Sequence, residues 1–211
     1  MVESYYTVAA LGTDEYIEKH SRFIATVVPI ESQDEAVKTI DAIRSKYWDA
    51  KHNVYAYTLL DDNIKRYSDD GEPSGTAGVP VLNILEKEEL QNVLIVVTRY
   101  FGGILLGTGG LVRAYSHTAK LGVEKAKKVK RCLCDIITLE LNYTLLGKIQ
   151  NYLEQKNVKI NSINYEDNVK IDVCLTVTFK DKFIKDIIEL TDGQISYKEN
   201  GQAYADFEEN I

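Results

Sequence analysis

The chain has 211 residues, 45% of them hydrophobic and 27% charged, with only 3 Pro and 13 Gly; this is the make-up of a globular protein long enough for two cores, and it excludes extended disorder. A formal net charge of −7 excludes wholesale coating of nucleic acid. The opening Met1-Val2-Glu3-Ser4-Tyr5-Tyr6 lacks the basic and apolar stretches of a secretion signal, and the longest strongly apolar run, Val93 to Val97, is far too short to span a membrane.

Extended segments are predicted at Tyr5 to Ala10, Phe23 to Ile30 and Asn53 to Leu60. A helix between the last two begins at the capping box Ser32/Glu35 and places Ala36, Ile40, Ile43 and Tyr47 on one face. A polar loop follows from Asp61 to Gly78, then a short helix from about Val81 to Leu90 and a buried strand from Val93 to Thr98. Six of the 13 glycines lie between Gly102 and Gly122. They lead into a long helix starting near Thr108, whose inner face (Leu111, Ala114, Tyr115, Thr118, Ala119, Gly122, Ala126) is small enough for close approach to a sheet. Its outer face carries Arg113, His117, Lys120 and Glu124. The basic run Lys125 to Arg131 reads equally as a solvated helix end and as a phosphate contact.

Beyond Arg131 the pattern changes. Ile137, Leu139, Leu141 and Tyr143 alternate with polar residues as in a half-buried strand; Leu146, Ile149 and Leu153 follow at helical spacing. Strands at Val158 to Tyr165 and around Ile171 to Val177, a helix through Phe183 and Ile187, and a last strand from Gln194 to Phe207 complete a βαββαβ order, that of a ferredoxin-like domain. Cys132, Cys134 and Cys174 are odd in number, and the spacing of the first two suits alternate strand positions, not a disulfide framework or a zinc site. A reducing cytoplasm is the expected compartment. Residues 1–131 carry 17 Lys and Arg against 18 Asp and Glu, residues 132–211 only 8 against 14, so a polyanion-binding surface is expected on the first part.

Two segments carry the candidate chemistry. In Ser68-Asp69-Asp70-Gly71-Glu72-Pro73-Ser74-Gly75-Thr76-Ala77-Gly78 eleven residues pass without a large apolar side chain, which marks an exposed loop rich in turn formers. In Thr98 to Tyr115 a buried strand ends, Arg99 follows, and Gly102 and Gly103 lead through Gly107, Thr108, Gly109 and Gly110 to a helix bearing Arg113. Backbone N–H groups freed by glycine, a helix amino terminus and two guanidinium groups suit an anion, although no P-loop or dinucleotide fingerprint is present. Ser74 with His52 and Asp70 allows a Ser/His/Asp constellation, but Gly71-Glu72-Pro73-Ser74-Gly75 is not a nucleophile elbow. Asp69, Asp70 and Glu72 allow a Mg²⁺ site or plain turn and cap roles. His52-Asn53 reads as a hydrogen-bonded structural pair.

Ser21-Arg22-Phe23, His52 to Tyr57, Ser68 to Gly78, and Thr98 to Gly103 with Gly107 to Tyr115 together resemble the motifs of the IMPACT family, including its bacterial members, in order across most of residues 19–120. The resemblance implies an α+β protein of two domains. Residues 1–131 would be a domain like the second domain of ribosomal protein S5, and residues 132–211 a ferredoxin-like domain of the bacterial members, a pairing similar to the last two domains of elongation factor G. Eukaryotic relatives regulate translation by competing for an activator of an initiation-factor kinase. The extra N-terminal domain they use is not expected in this chain.

The leading expectation is a translation-associated, non-catalytic protein that binds RNA, the ribosome or a translation factor, with no cofactor, metal or membrane. The residues expected to bind are Arg22, His52, Asp70, Glu72, Ser74, Thr76, Arg99, Gly102, Gly103, Thr108, Gly109, Gly110 and Arg113, with Tyr55, Tyr57, Tyr100 or Phe101 as stacking partners. The arginines are expected to converge with the loop on one open pocket. The alternatives are a metal- or Ser-dependent hydrolase acting on a phosphorylated or peptide substrate at residues 70–76, and a pure protein-interaction module.

Overall fold

The computed structural model describes residues 2–208. In chain order its elements are β1 (Ser4–Val8), β2 (Gly12–Glu18), β3 (Ser21–Pro29), α1 (Gln33–Lys46), β4 (His52–Leu59), β5 (Ile64–Ser68), α2 (Gly78–Lys87), β6 (Val93–Tyr100), α3 (Gly107–Ala126), β7 (Lys128–Leu141), α4 (Tyr143–Gln155), β8 (Lys159–Tyr165), β9 (Val169–Thr176), α5 (Val177–Leu190) and β10 (Ser196–Glu208). Mixed helices and sheets make this an α+β protein. It falls into two compact units, one built on Tyr5–Lys130 and the other on Arg131–Phe207 with the leading residues through Ser4. The division falls inside β7.

The first unit is a five-stranded sheet in the order β2-β3-β6-β4-β5, with every neighbouring pair antiparallel. Helices cover both faces, which explains the unbroken apolar run of β6. Val93, Ile95 and Val97 face a core shared with Val81, Leu85, Leu111, Tyr115 and Ala119 of α2 and α3. Leu94 and Val96 face Ala36, Ile40 and Ile43 of α1. A strand buried on both sides loses the polar alternation of a one-sided sheet. α1 starts as its sequence predicts: the Ser32 hydroxyl accepts from the Glu35 N–H, and the Glu35 carboxylate accepts from the Glu31 N–H. The inner face of α3 is likewise as predicted. A Cβ at Gly122 would lie 2.7 Å from the Ala25 Cβ, so only glycine lets the helix sit this close to β3.

Three elements differ from expectation. β2 escapes notice because Gly-Thr-Asp-Glu-Tyr-Ile-Glu is an edge strand with few apolar residues. The expected loop 61–78 contains a 3-10 turn at Asp61–Asn63 and the edge strand β5, polar for the same reason. The basic run is only in part a helix end. α3 stops at Ala126, Lys127 adopts a left-handed φ of 58°, and Lys128 already opens β7.

The second unit has the βαββαβ order, with β10 beside β7, then β9 and β8. This is the ferredoxin-like arrangement. Ile137, Leu139, Val169, Ile171 and Val173 of the sheet pack against Ile149 and Leu153 of α4 and Phe183 and Ile187 of α5. Within this unit Leu133 N–H donates to the Glu3 carbonyl. Among the described residues no helix is long and apolar enough to cross a membrane.

Candidate functional site

Antiparallel register sets His52, at the start of β4, directly opposite Arg99, near the end of β6. The loop between β5 and α2 then lays Glu72 against both. Its Oε1 accepts from Arg99 Nη1 at 2.5 Å and from the Tyr115 hydroxyl at 2.8 Å, and stands 3.8 Å from His52 Nε2. Glu72 and Arg99 are both almost fully buried. A carboxylate survives in such a place only because charge and hydrogen bonds replace its hydration. Burial first, and then the Glu72 charge, holds the Tyr115 phenol far above its ordinary range, so it stays a donor.

The rest of the loop is held by its own acids. Asp69 accepts from the N–H groups of Gly75, Ala77 and Gly78, capping the start of α2 from nine residues away. Asp70 accepts from the Asn53 N–H at 2.7 Å and from Arg44 at 2.8 Å, while its carbonyl meets His52 Nδ1 at 2.7 Å. Thr76 is buried with its hydroxyl on the Pro73 carbonyl. The acids proposed for Mg²⁺ thus all have structural partners, and among the described residues no three of His, Cys, Asp or Glu gather as a ligand set. Ser74 is exposed, and both nitrogens of His52 face Asp70 and Glu72 instead of it. The Ser/His/Asp constellation is not assembled.

Beside this buried node lies a cavity of about 440 Å³. His52, Glu72 and Arg99 supply its polar lining; Phe101, Leu105, Leu106 and Leu111 its apolar lining; Lys51 and Thr108 complete it. Phe101 and Leu105 are exposed, with Lys51 Nζ 5.7 Å and the Arg99 guanidinium 5.5 Å from the Phe101 ring centre. Arg99 Nε is buried and has no hydrogen-bond partner among the described residues. The Ser21 hydroxyl accepts from the Gly102 N–H at 3.2 Å. A Cβ at Gly102 would lie 2.0 Å from the His20 carbonyl carbon, so only glycine fits here.

The three arginines do not share this cavity. Arg22 is the exposed residue of the otherwise largely buried β3, where Glu15 takes its Nε at 2.9 Å and its Nη2 at 2.6 Å. Arg113 lines a second cavity on the other side of the α3 amino end. The expected convergence is therefore replaced by one buried arginine, one surface pair and one separate cation. Gly103 is exposed in the loop before α3, and Thr108, Gly109 and Gly110 form that helix's first turn. Of the aromatic candidates only Phe101 reaches the cavity; Tyr57 is buried against α1, Tyr55 stacks on it, and Tyr100 donates to Asp49. Asn53, Lys51 and Tyr115 hold or line the site without having been expected to bind, and Asp69, weighed as a Mg²⁺ ligand, caps α2 instead. The His52/Arg99 register is what brings Lys51, next to His52, to the site.

A sequence model of the Impact N-terminal domain matches residues 19–123, which include every candidate residue, and a model described as a domain of unknown function (DUF1949) matches residues 139–194. The IMPACT family member YvyE of Bacillus subtilis (strain 168) is 40% identical over 205 residues, covering 97% of this chain and 94% of its own. The chain belongs to the IMPACT family. Family member YigZ of Escherichia coli (strain K12) is 32% identical over 197 residues, covering 92% of this chain and 97% of its own. Human protein IMPACT is 26% identical over 147 residues, covering 68% of this chain but 41% of its own. A solved structure described as a hypothetical protein has a TM-score of 0.60 at 31% identity, covering 93% of this chain and 97% of its own.

Proposed function

We propose that this IMPACT family protein is a non-catalytic, translation-associated binding protein whose first unit takes single-stranded RNA, free or presented by the ribosome. The cavity beside Arg99 and Glu72 carries this reading. It combines an exposed aromatic ring, a lysine over that ring and a polar lining from His52, Glu72 and Arg99. Single-stranded RNA is read by stacking a splayed base on an aromatic face and hydrogen-bonding its edge. Phe101 offers the face, Arg99, His52 and Thr108 meet the edge, and Lys51 takes the neighbouring phosphate. Because Arg99 is already neutralised by Glu72, it serves as a positioned donor more than as a free charge.

Anisotropy titration of a fluorescein-labelled single-stranded RNA tests this. Phe101→Ala should weaken binding about five- to 100-fold, the range of one lost base stack, and Lys51→Ala should make the dependence of affinity on salt shallower. Wild-type affinity equal to that of the Phe101→Ala, Lys51→Ala double variant would overturn the reading.

A further inference from the structure

The second cavity, about 580 Å³, lies along the exposed face of α3 and is bounded by β2, the β2–β3 turn and α2. Its cations are Lys19, Arg113 and Lys120, joined by His117; its single acid, Glu18, is held by the Tyr16 hydroxyl at 2.6 Å. Among the described residues Lys120 pairs with Glu124 at 3.9 Å, both well exposed. Arg113 is exposed and no ion pair or hydrogen bond of its side chain is seen among the described residues. A surplus of this kind is notable in a chain of net charge −7, since cations that outnumber the acids inside a concave wall focus potential on an anion. The walls are not polar throughout: Ile84, Leu106 and Val112 contribute apolar surface, and the Tyr16 ring meets His117 edge-on with centres 4.6 Å apart.

From this combination we infer that the cavity is a nucleotide site, taking a phosphate between Arg113, Lys120 and Lys19 and a flat apolar body against Tyr16, Leu106 and Ile84. The size is that of a small-ligand cleft with apolar walls and a few placed polar groups. Arg113 is the anchor, because its planar fork meets two phosphate oxygens at once. The same chemistry is presented by a free mononucleotide and by one nucleotide of an RNA strand. In the second case the inference rests on the RNA reading above and extends its footprint across the amino end of α3.

Calorimetric titration of the full chain with uridine and adenosine 5′-monophosphates, the two parent nucleosides and a single-stranded ten-nucleotide RNA separates these sources. A free ligand gives mononucleotide binding that the nucleoside lacks and that Arg113→Ala weakens about tenfold or more. A strand gives binding of the ten-nucleotide RNA alone, with Arg113→Ala and Lys120→Ala each lowering the salt slope by about one phosphate. Either result supports the site. If no ligand binds, or if both variants leave every affinity and slope unchanged while their circular dichroism is wild-type, the inference is overturned. Lys51→Ala and Phe101→Ala, titrated alongside, report on the first cavity alone. An effect of theirs without any effect of Arg113→Ala sinks this inference and leaves the RNA reading standing; the converse sinks only the RNA reading.

Discussion

The two units bury different things. In the first, Ser21, His52, Asn53, Glu72, Thr98, Arg99 and Thr118 are all buried, whereas in the second the buried polar residues among those described are Asp135 and Thr191. The second unit is an ordinary apolar core, and its Asp172 receives the Ser162 and Thr138 hydroxyls in a partly exposed setting. Interior polar groups cost stability unless each is satisfied. Among the described residues the almost fully buried Glu72–Arg99 pair belongs to the first unit, beside the cavity that Phe101 and Lys51 line.

Removing one side of the buried pair should break this contrast most visibly. Glu72→Ala leaves Arg99 charged and unpartnered, at a cost of about 3–5 kcal/mol, and hydrogen exchange should show the loss confined to amides of residues 5–130. Adding Arg99→Met should restore much of it, because the penalty belongs to the orphaned charge. In the second unit Phe183→Ala should cost about 3–5 kcal/mol by leaving a cavity, with no second-site charge removal able to rescue it.

A smaller effect is expected from Tyr115→Phe, about 1.5–3 kcal/mol for a hydrogen bond to a charged group. It also has a pH signature. The folded phenol titrates far above the unfolded value of about 10, so the folded chain holds a proton that the unfolded chain gives up. The Tyr115 contribution to stability should therefore be level below pH 10 and fall above it; the phenylalanine variant should lose that part of the alkaline fall, as read by urea midpoints across the alkaline range.

Smallest of all is Asp172→Asn, at about 1 kcal/mol or less for a half-exposed group. Hydrogen bonds from Ser162 and Thr138 hold its carboxyl below the ordinary value. Its contribution is present above the unfolded carboxyl's pKa and is lost as pH falls through the folded one, so acid titration of the variant should be flatter below about pH 4.

Much of the architecture was legible in the chain because burial writes itself into periodicity. The α3 inner face, the α1 cap and the βαββαβ order all follow from apolar spacing and capping chemistry. The edge strands β2 and β5 do not, since an edge exposed to water needs no apolar signature. The site was legible residue by residue but not in its geometry. Arg99, Glu72 and His52 could be named, yet their meeting depends on strand register and on a loop folding back from position 72. Arg22 and Arg113 were named on the same grounds and point elsewhere, because charge in a sequence carries no direction.

Leu106 lines both cavities, a thin partition with a flexible side chain between two chambers. A ligand in one chamber that displaced this side chain would change how it bounds the other, and only such a displacement would link the two occupancies. By reciprocity, a ligand that reshapes the second chamber alters affinity in the first by the same factor as the reverse. Leu106→Ala removes the shared side chain, so any effect of one ligand on the affinity of the other should shrink.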